Sequence, residues 1–178
     1  MRRIVYDVAV SLDGFIAGVG DDISAFPAEG DHVDAYRARL ESYDTAIMGR
    51  RTYEFGYRFG LAPGAKAYPH MTHYIFSSTL DLPEPASVTV VRDGWADFVR
   101  EIKTSDGGDI YLCGGGRFAG FLAREALIDV LRLKIAPAVI GSGVPLFEGL
   151  GGALSLTRTV FEPHASGVIL AEYTVDNG

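Results

Sequence analysis

IYLCGGGRFAGF, residues 110–121, decides how the rest of the chain is read. Ile110, Tyr111, Leu112 and Cys113 form an apolar run of the length of a buried strand. Glycines 114–116 follow, and Arg117-Phe118-Ala119-Gly120-Phe121-Leu122-Ala123 reads as a helix. Strand, glycines, helix is an order that can bring bare backbone up to a phosphate. Glycine permits positive φ and close approach, and the first N–H groups of a helix lack internal partners and favour an anion. The same order also serves as a tight connection in which glycine only relieves packing. The stretch alone leaves both readings open.

Working outward, the arrangement recurs upstream. Thr45–Met48 reads as a strand, and Gly49-Arg50-Arg51-Thr52 opens a helix over Arg50–Phe59. Cations in a first helical turn oppose the helix dipole, so this placement is unfavourable unless an anion is bound there. Thr72–Phe76 is the next strand, ending in Ser77-Ser78-Thr79, whose hydroxyls either donate to a phosphate or cap the strand end. Ser87–Val91 is a further strand with Arg92 at its end. Trp95–Ile102 carries Trp95, Phe98, Val99 and Ile102 on one helical face.

At the N-terminal end, Arg3–Val10 is a β-rich first strand, and Asp13-Gly14 marks the turn after it. Asp13 either reaches a ligand from that turn or bonds its own backbone as a turn former. Val19–Gly30 is polar and broken by Gly20, Pro27 and Gly30, the length of a lid or binding loop. Asp31 is placed as the cap of a helix over His32–Tyr43, with Val33, Tyr36, Leu40 and Tyr43 as its inward stripe. Downstream, Arg117–Ala126 is a helix and Ile128–Ala136 a strand. A glycine-rich loop covers Gly141–Gly152, and strands near Leu154–Glu162 and Val168–Val175 form an antiparallel hairpin. Strand–helix alternation followed by strand on strand predicts an α/β three-layer sandwich: a mainly parallel sheet with an antiparallel C-terminal edge hairpin. No internal repeat or boundary divides it, so residues 1–178 are expected to form a single domain.

Composition narrows the function. The chain of 178 residues is 48% hydrophobic and 22% charged, ordinary for a globular domain. A net charge of -7 provides no basic face for a nucleic acid. The one cysteine, Cys113, excludes an internal disulfide and a multi-cysteine metal site. His70-Met71-Thr72-His73 has no third ligand nearby, whereas zinc needs three or four, so no metal is expected. No apolar run reaches the ~18 residues of a membrane span and no signal-peptide core is visible; a cytoplasmic protein is expected, without membrane partners.

Three stretches, Met48-Gly49-Arg50-Arg51-Thr52-Tyr53-Glu54, Tyr74-Ile75-Phe76-Ser77-Ser78 and Ile110–Phe118, together resemble the dihydrofolate reductase-like superfamily, in order and spacing and over nearly the whole chain. Val10-Ser11-Leu12-Asp13-Gly14-Phe15-Ile16-Ala17 is more similar to the reductase domain of bacterial riboflavin biosynthesis and its stand-alone relatives. The resemblance implies an NADPH-dependent oxidoreductase. Gly49, Arg50, Arg51 and Thr52 would hold phosphates. Arg50 or Arg51, with Ser77, Ser78 and Arg92, would surround the adenosine 2′-phosphate. Cys113, Gly114, Gly115, Gly116, Arg117 and Phe118 would lie along the pyrophosphate, and Ala9 and Ile16 would offer backbone groups to the nicotinamide carboxamide.

On the substrate side the chain departs from the folate enzymes. Their acidic residue on the first helix falls on Val33, with Asp31 and Asp34 displaced from it, and their Pro-Trp pair is replaced by Phe26-Pro27. The expected acceptor is therefore a small heterocyclic or conjugated molecule, pteridine- or pyrimidine-like and not necessarily folate. Asp13 and Asp34 are the candidate proton donors, with water as the other source. Two other readings remain, a non-catalytic nucleotide-binding relative and a flavodoxin-like binder of another phosphate ligand. The stand-alone relatives and the apolar C-terminal edge also imply a homodimer.

Overall fold

In a computed structural model, which describes residues 1–177, the runs of β-branched and apolar residues form one eight-stranded sheet. Its strands are β1 (Ile4–Val10), β3 (Thr45–Gly49), β4 (Thr72–Phe76), β5 (Thr89–Val91), β6 (Ile110–Gly114), β7 (Val130–Ile135), β9 (Leu156–Pro163) and β10 (Ile169–Val175). Two short strands, β2 (Phe15–Gly18) and β8 (Gly143–Pro145), pair separately and antiparallel. The sheet order is β5-β4-β3-β6-β1-β7-β10-β9, parallel from β5 to β7, with β10 antiparallel to both its neighbours. The fold is dihydrofolate reductase-like, and the reversed β10 with its edge partner β9 is the hairpin that the sequence predicts. A flavodoxin-like order, 2-1-3-4-5, is excluded.

The helices α1 (Asp31–Leu40), α2 (Arg50–Phe55), α3 (Trp95–Thr104) and α4 (Gly116–Arg124) make the outer layers. On one face Ile4, Tyr6, Ile47, Ile110 and Leu112 pack beneath α3 and α4 through Val99, Ile102, Phe118 and Leu122. On the other, Val5, Ala46, Met48, Ile75 and Tyr111 pack with Tyr43 and Tyr53. Alternation along each strand gives the two cores. Because β3 and β6 are adjacent and feed helices on opposite faces, a crevice opens past their carboxyl ends, where open α/β sheets bind ligands.

Several boundaries differ from the periodicity. Gly30, not Asp31, caps α1. The Asp31 carboxylate instead accepts from the Ala165 N–H at 3.0 Å and faces His164 Nδ1 at 3.2 Å, tying α1 to the β9–β10 connection. The helix from Arg50 ends at Phe55 and continues as a 3₁₀ turn, Gly56–Phe59. Strands β2 and β8 are too short to impose a period on the sequence. None of the helices among the described residues is long and apolar enough to cross a membrane.

Candidate active site

A groove of about 650 Å³ occupies that crevice, between the first turns of α2 and α4 and the end of β4. Gly49, Arg50, Arg51, Thr52, Ser77, Ser78, Gly115, Arg117 and Phe118 all line it. Arg50 donates to Glu54 Oε1 and to Thr79 Oγ1, both at 2.9 Å, which holds it beside the end of β4. Arg51 turns the other way and pairs with Asp21 at 2.7 Å. Gly115 has φ +89°, and a Cβ there would stand 2.9 Å from Thr52 Oγ1, so only glycine leaves the space between the two turns open. Aromatic rings form the far wall: Phe76 stacks on Phe118 at 4.5 Å, and Trp95 meets Phe121 edge-on at 5.8 Å. The buried Trp95 Nε1 has no acceptor among the described residues. Guanidinium groups, hydroxyls, an open glycine cradle and an aromatic wall fit a nucleotide carrying phosphates.

A second cavity, of about 450 Å³, lies between the sheet and the helices α1 and α2, and Thr52 lines both spaces. Its wall is largely apolar, from Phe26, Val33, Met48, Phe55, Phe59 and Leu61. The charged groups come from the sheet, where Asp7 and Lys134 reach the cavity, while His32, Tyr36 and Thr52 add polar atoms from the helices.

The strand register explains that pair. Asp7 lies beside Arg132 and Arg132 beside Glu172, while Ala9 lies beside Lys134. Lys134 leans back one pleat to place Nζ 2.7 Å from Asp7 Oδ1. Arg39 of α1 reaches Asp7 Oδ2 at 3.2 Å and Arg132 stands 3.6 Å from it, while Arg132 also bonds Glu172 at 2.7 Å. The Asp7 side chain is 0% exposed, and a buried carboxylate is tolerable only when paired in this way. Burial pushes the Asp7 carboxyl up, but the Lys134, Arg39 and Arg132 cations outweigh it and hold it below its usual value. Burial draws the Lys134 ammonium below its usual value despite Asp7. Lys134 Nζ also lies 3.5 Å from the centroid of the Tyr36 ring, whose hydroxyl is 2.6 Å from that of Tyr111.

Other residues singled out in the sequence stand elsewhere. Ala9 and Cys113 line the apolar cavity, not the groove. Burial pushes the Cys113 thiol up, and the Tyr68 hydroxyl lies 3.7 Å from its sulfur. Gly114 and Gly116 line neither space; a Cβ on Gly116 would fall 2.1 Å from the Pro145 carbonyl oxygen, so that glycine admits the chain of β8. Ile16 belongs to β2 and lines neither. Arg92 is turned away to Asp81, at 3.1 Å.

Neither candidate proton donor, Asp13 or Asp34, lines the groove or the cavity. The Asp13 carboxylate accepts from Ser11 Oγ at 2.6 Å and from the Gly141 N–H at 2.6 Å, clamping the loop after β7. The Ser11 hydroxyl, then the Gly141 and Ile140 N–H groups, hold it down to about 2, so at neutral pH it has no proton to give. The Asp34 side chain is 82% exposed and faces Arg37. The residues that the sequence reading misses are Asp7 and Lys134 in the cavity, and Trp95, Phe121 and Arg124 in the groove.

Comparison with known proteins agrees with this fold. The family model of the RibD C-terminal domain matches residues 2–170. Uncharacterized protein YwjB of Bacillus subtilis (strain 168) is 34% identical over 152 residues, which cover 84% of each chain. A putative riboflavin biosynthesis protein from Shewanella sp. PV-4 superposes with a TM-score of 0.82 at 24% identity, covering 99% of both chains. Dihydrofolate reductase from Enterococcus faecalis, complexed with NADP(H) and RAB-propyl, superposes with a TM-score of 0.66 at 16% identity, covering 98% of this chain and 96% of that one.

Proposed function

The chain belongs to the RibD C-terminal domain family, and from that premise we propose that it is an NADPH-dependent reductase of a small, planar, conjugated acceptor. The observation that carries this reading is the junction at Thr52, where a groove suited to phosphates opens beside an apolar cavity. NADPH, when bound, supplies the hydride. The chain binds, orients and excludes water. Arg50 and Ser78 are assigned to the 2′-phosphate, because Arg50 is held beside the β4 end. Thr52, Gly115 and Arg117 are assigned to the pyrophosphate. The acceptor lies in the cavity, gripped by apolar contact between the sheet and α1 and freed from bulk water. Holding two reactants in one geometry is worth up to roughly 7–11 kcal/mol of barrier in well-oriented cases, which suits a site whose chemistry comes from its cofactor.

The test has two stages. Calorimetric titration with NADPH and NADH measures the cofactor preference, expected to favour NADPH. Loss of NADPH absorbance is then followed across a panel of pteridine, pyrimidine and enone acceptors. Turnover of at least one is expected. NADPH binding without turnover of any acceptor would favour a non-catalytic nucleotide-binding relative instead, and absence of NADPH binding would overturn both readings.

A further inference from the structure

The polar groups on the cavity wall differ in how far their bonding capacity is already used. Each Asp7 oxygen already accepts from a cation, Lys134 on one and Arg39 on the other, with Arg132 close by. The Tyr36 and Tyr111 hydroxyls bond each other. His32 Nδ1 is also buried without a partner among the described residues, and Lys134 is the one lysine or arginine on the wall. An ammonium carries three N–H donors, and the one hydrogen-bond acceptor it has among the described residues is Asp7 Oδ1. The Tyr36 ring covers another side, and Lys134 is among the residues that line the cavity. The charges around it do not balance. Asp7 and Glu172 oppose Lys134, Arg132 and Arg39, so cations outnumber carboxylates in a cluster where Arg132 and Arg39 keep some contact with water. Such an excess is unfavourable away from water and is relieved by an electron-rich oxygen arriving from the cavity.

We propose that Lys134 is a catalytic residue: its ammonium receives, and then protonates, the oxygen of an acceptor whose carbonyl is conjugated with the bond being reduced. This deepens the reductase reading and rests on it. As the hydride joins the far carbon of the conjugated system, the double-bond electron pair moves through the carbonyl to its oxygen. A proton passes from Lys134 Nζ to that oxygen, and the neutral amine regains one from solvent. The overall change is one hydride and one proton added to the acceptor. Asp7 is the positioning residue, since it fixes where Nζ points.

The test is a binding comparison that does not depend on turnover. Coumarin, a flat molecule with a carbonyl conjugated to a double bond, is compared with 2H-chromene, its analogue without the carbonyl. Both are titrated calorimetrically into the full chain, with and without saturating NADP⁺. Wild type is expected to bind coumarin about ten- to a hundredfold more tightly than chromene, the scale of a hydrogen bond to a charged group. Lys134→Met should lose that advantage while keeping its chromene and NADP⁺ affinities. Far-UV circular dichroism checks the fold. If Lys134→Met does not fold, the double variant Asp7→Asn/Lys134→Met, which removes opposite charges together, carries the same comparison. Equal binding of coumarin and chromene by wild type, or no coumarin binding at all, would overturn the assignment. So would coumarin binding unchanged in the variant, or wild-type NADPH consumption by it. A coumarin preference without NADPH consumption would count against the reductase reading and leave Lys134 as a carbonyl-binding residue.

Discussion

Replacing Gly115 by alanine should separate cofactor binding from folding. The residue has φ +89° and ψ 116°, a region nearly closed to side chains. Forcing alanine into it costs about 1–3 kcal/mol, and for a chain of this size each kcal/mol lowers Tm by roughly 2–4 °C. The new methyl would also stand 2.9 Å from Thr52 Oγ1, so Thr52 must turn or the α4 start must move away from α2. Either response disturbs a groove that both residues line. Loss of one hydrogen bond to an ionised phosphate is worth about 1.5–3 kcal/mol, so NADPH affinity should fall about ten- to a hundredfold. Gly60→Ala supplies the control: its φ is +87°, no heavy atom lies within 4 Å of the added Cβ, and it does not line the groove. Thermal unfolding and NADPH calorimetry on both variants make the test. Both should lose stability, and Gly115→Ala alone should lose affinity. Wild-type NADPH binding by a folded Gly115→Ala would mean that the glycine relieves packing only.

Arg50→Ala should weaken NADPH by about ten- to a hundredfold and leave NADH nearly unchanged; an equal effect on both cofactors in calorimetry would remove Arg50 from the 2′-phosphate. Asp13 contributes stability that is fully present above its ordinary pKa of 3.8 and fades as pH falls towards about 2. Asp13→Asn should therefore flatten the acid limb of the urea midpoint against pH, while Asp34→Asn, on an exposed site, should leave both stability and turnover unchanged. The chain should be a homodimer through β9, an outermost strand with Phe161 57% exposed. Light scattering should give twice the chain mass for wild type and the single mass for Phe161→Lys, and a monomeric wild type would refute the pairing.

Where local chemistry sets the structure, the sequence is readable. The order of strand, glycine and helix around Gly49 and Gly115 follows from period and composition, and so does the hairpin at the C-terminal edge. Those cues also carry the first turns of α2 and α4 into the groove, because each of these helices begins within two residues of its strand's end. They do not say which of three adjacent glycines faces the ligand. Gly114, Gly115 and Gly116 are identical letters, and only the curvature of the chain makes one a cradle and another a seat for Pro145. Arg92 shows the same limit: a strand end places a backbone, while the side chain went to the nearest carboxylate, Asp81.

The carboxylates are the sharper case. Asp13 and Asp34 attract notice because they sit in a turn and on a helix, where an acid is easy to accommodate, and for that reason both are solvated and structurally inexpensive. An acid or base with work to do is found where it is costly to keep. IVYDVAV places one charge, and VLRLKI two, among apolar neighbours in a central strand, which is the one sequence signal that points to Asp7 and Lys134. It is incomplete by itself, since a lone charge in a strand could equally face a solvated edge. What gives it meaning is long-range: β1 and β7 lie side by side, in a register that puts Asp7 next to Arg132 and one pleat from Lys134. Strand order and register belong to the whole sheet, and no window of the sequence contains them.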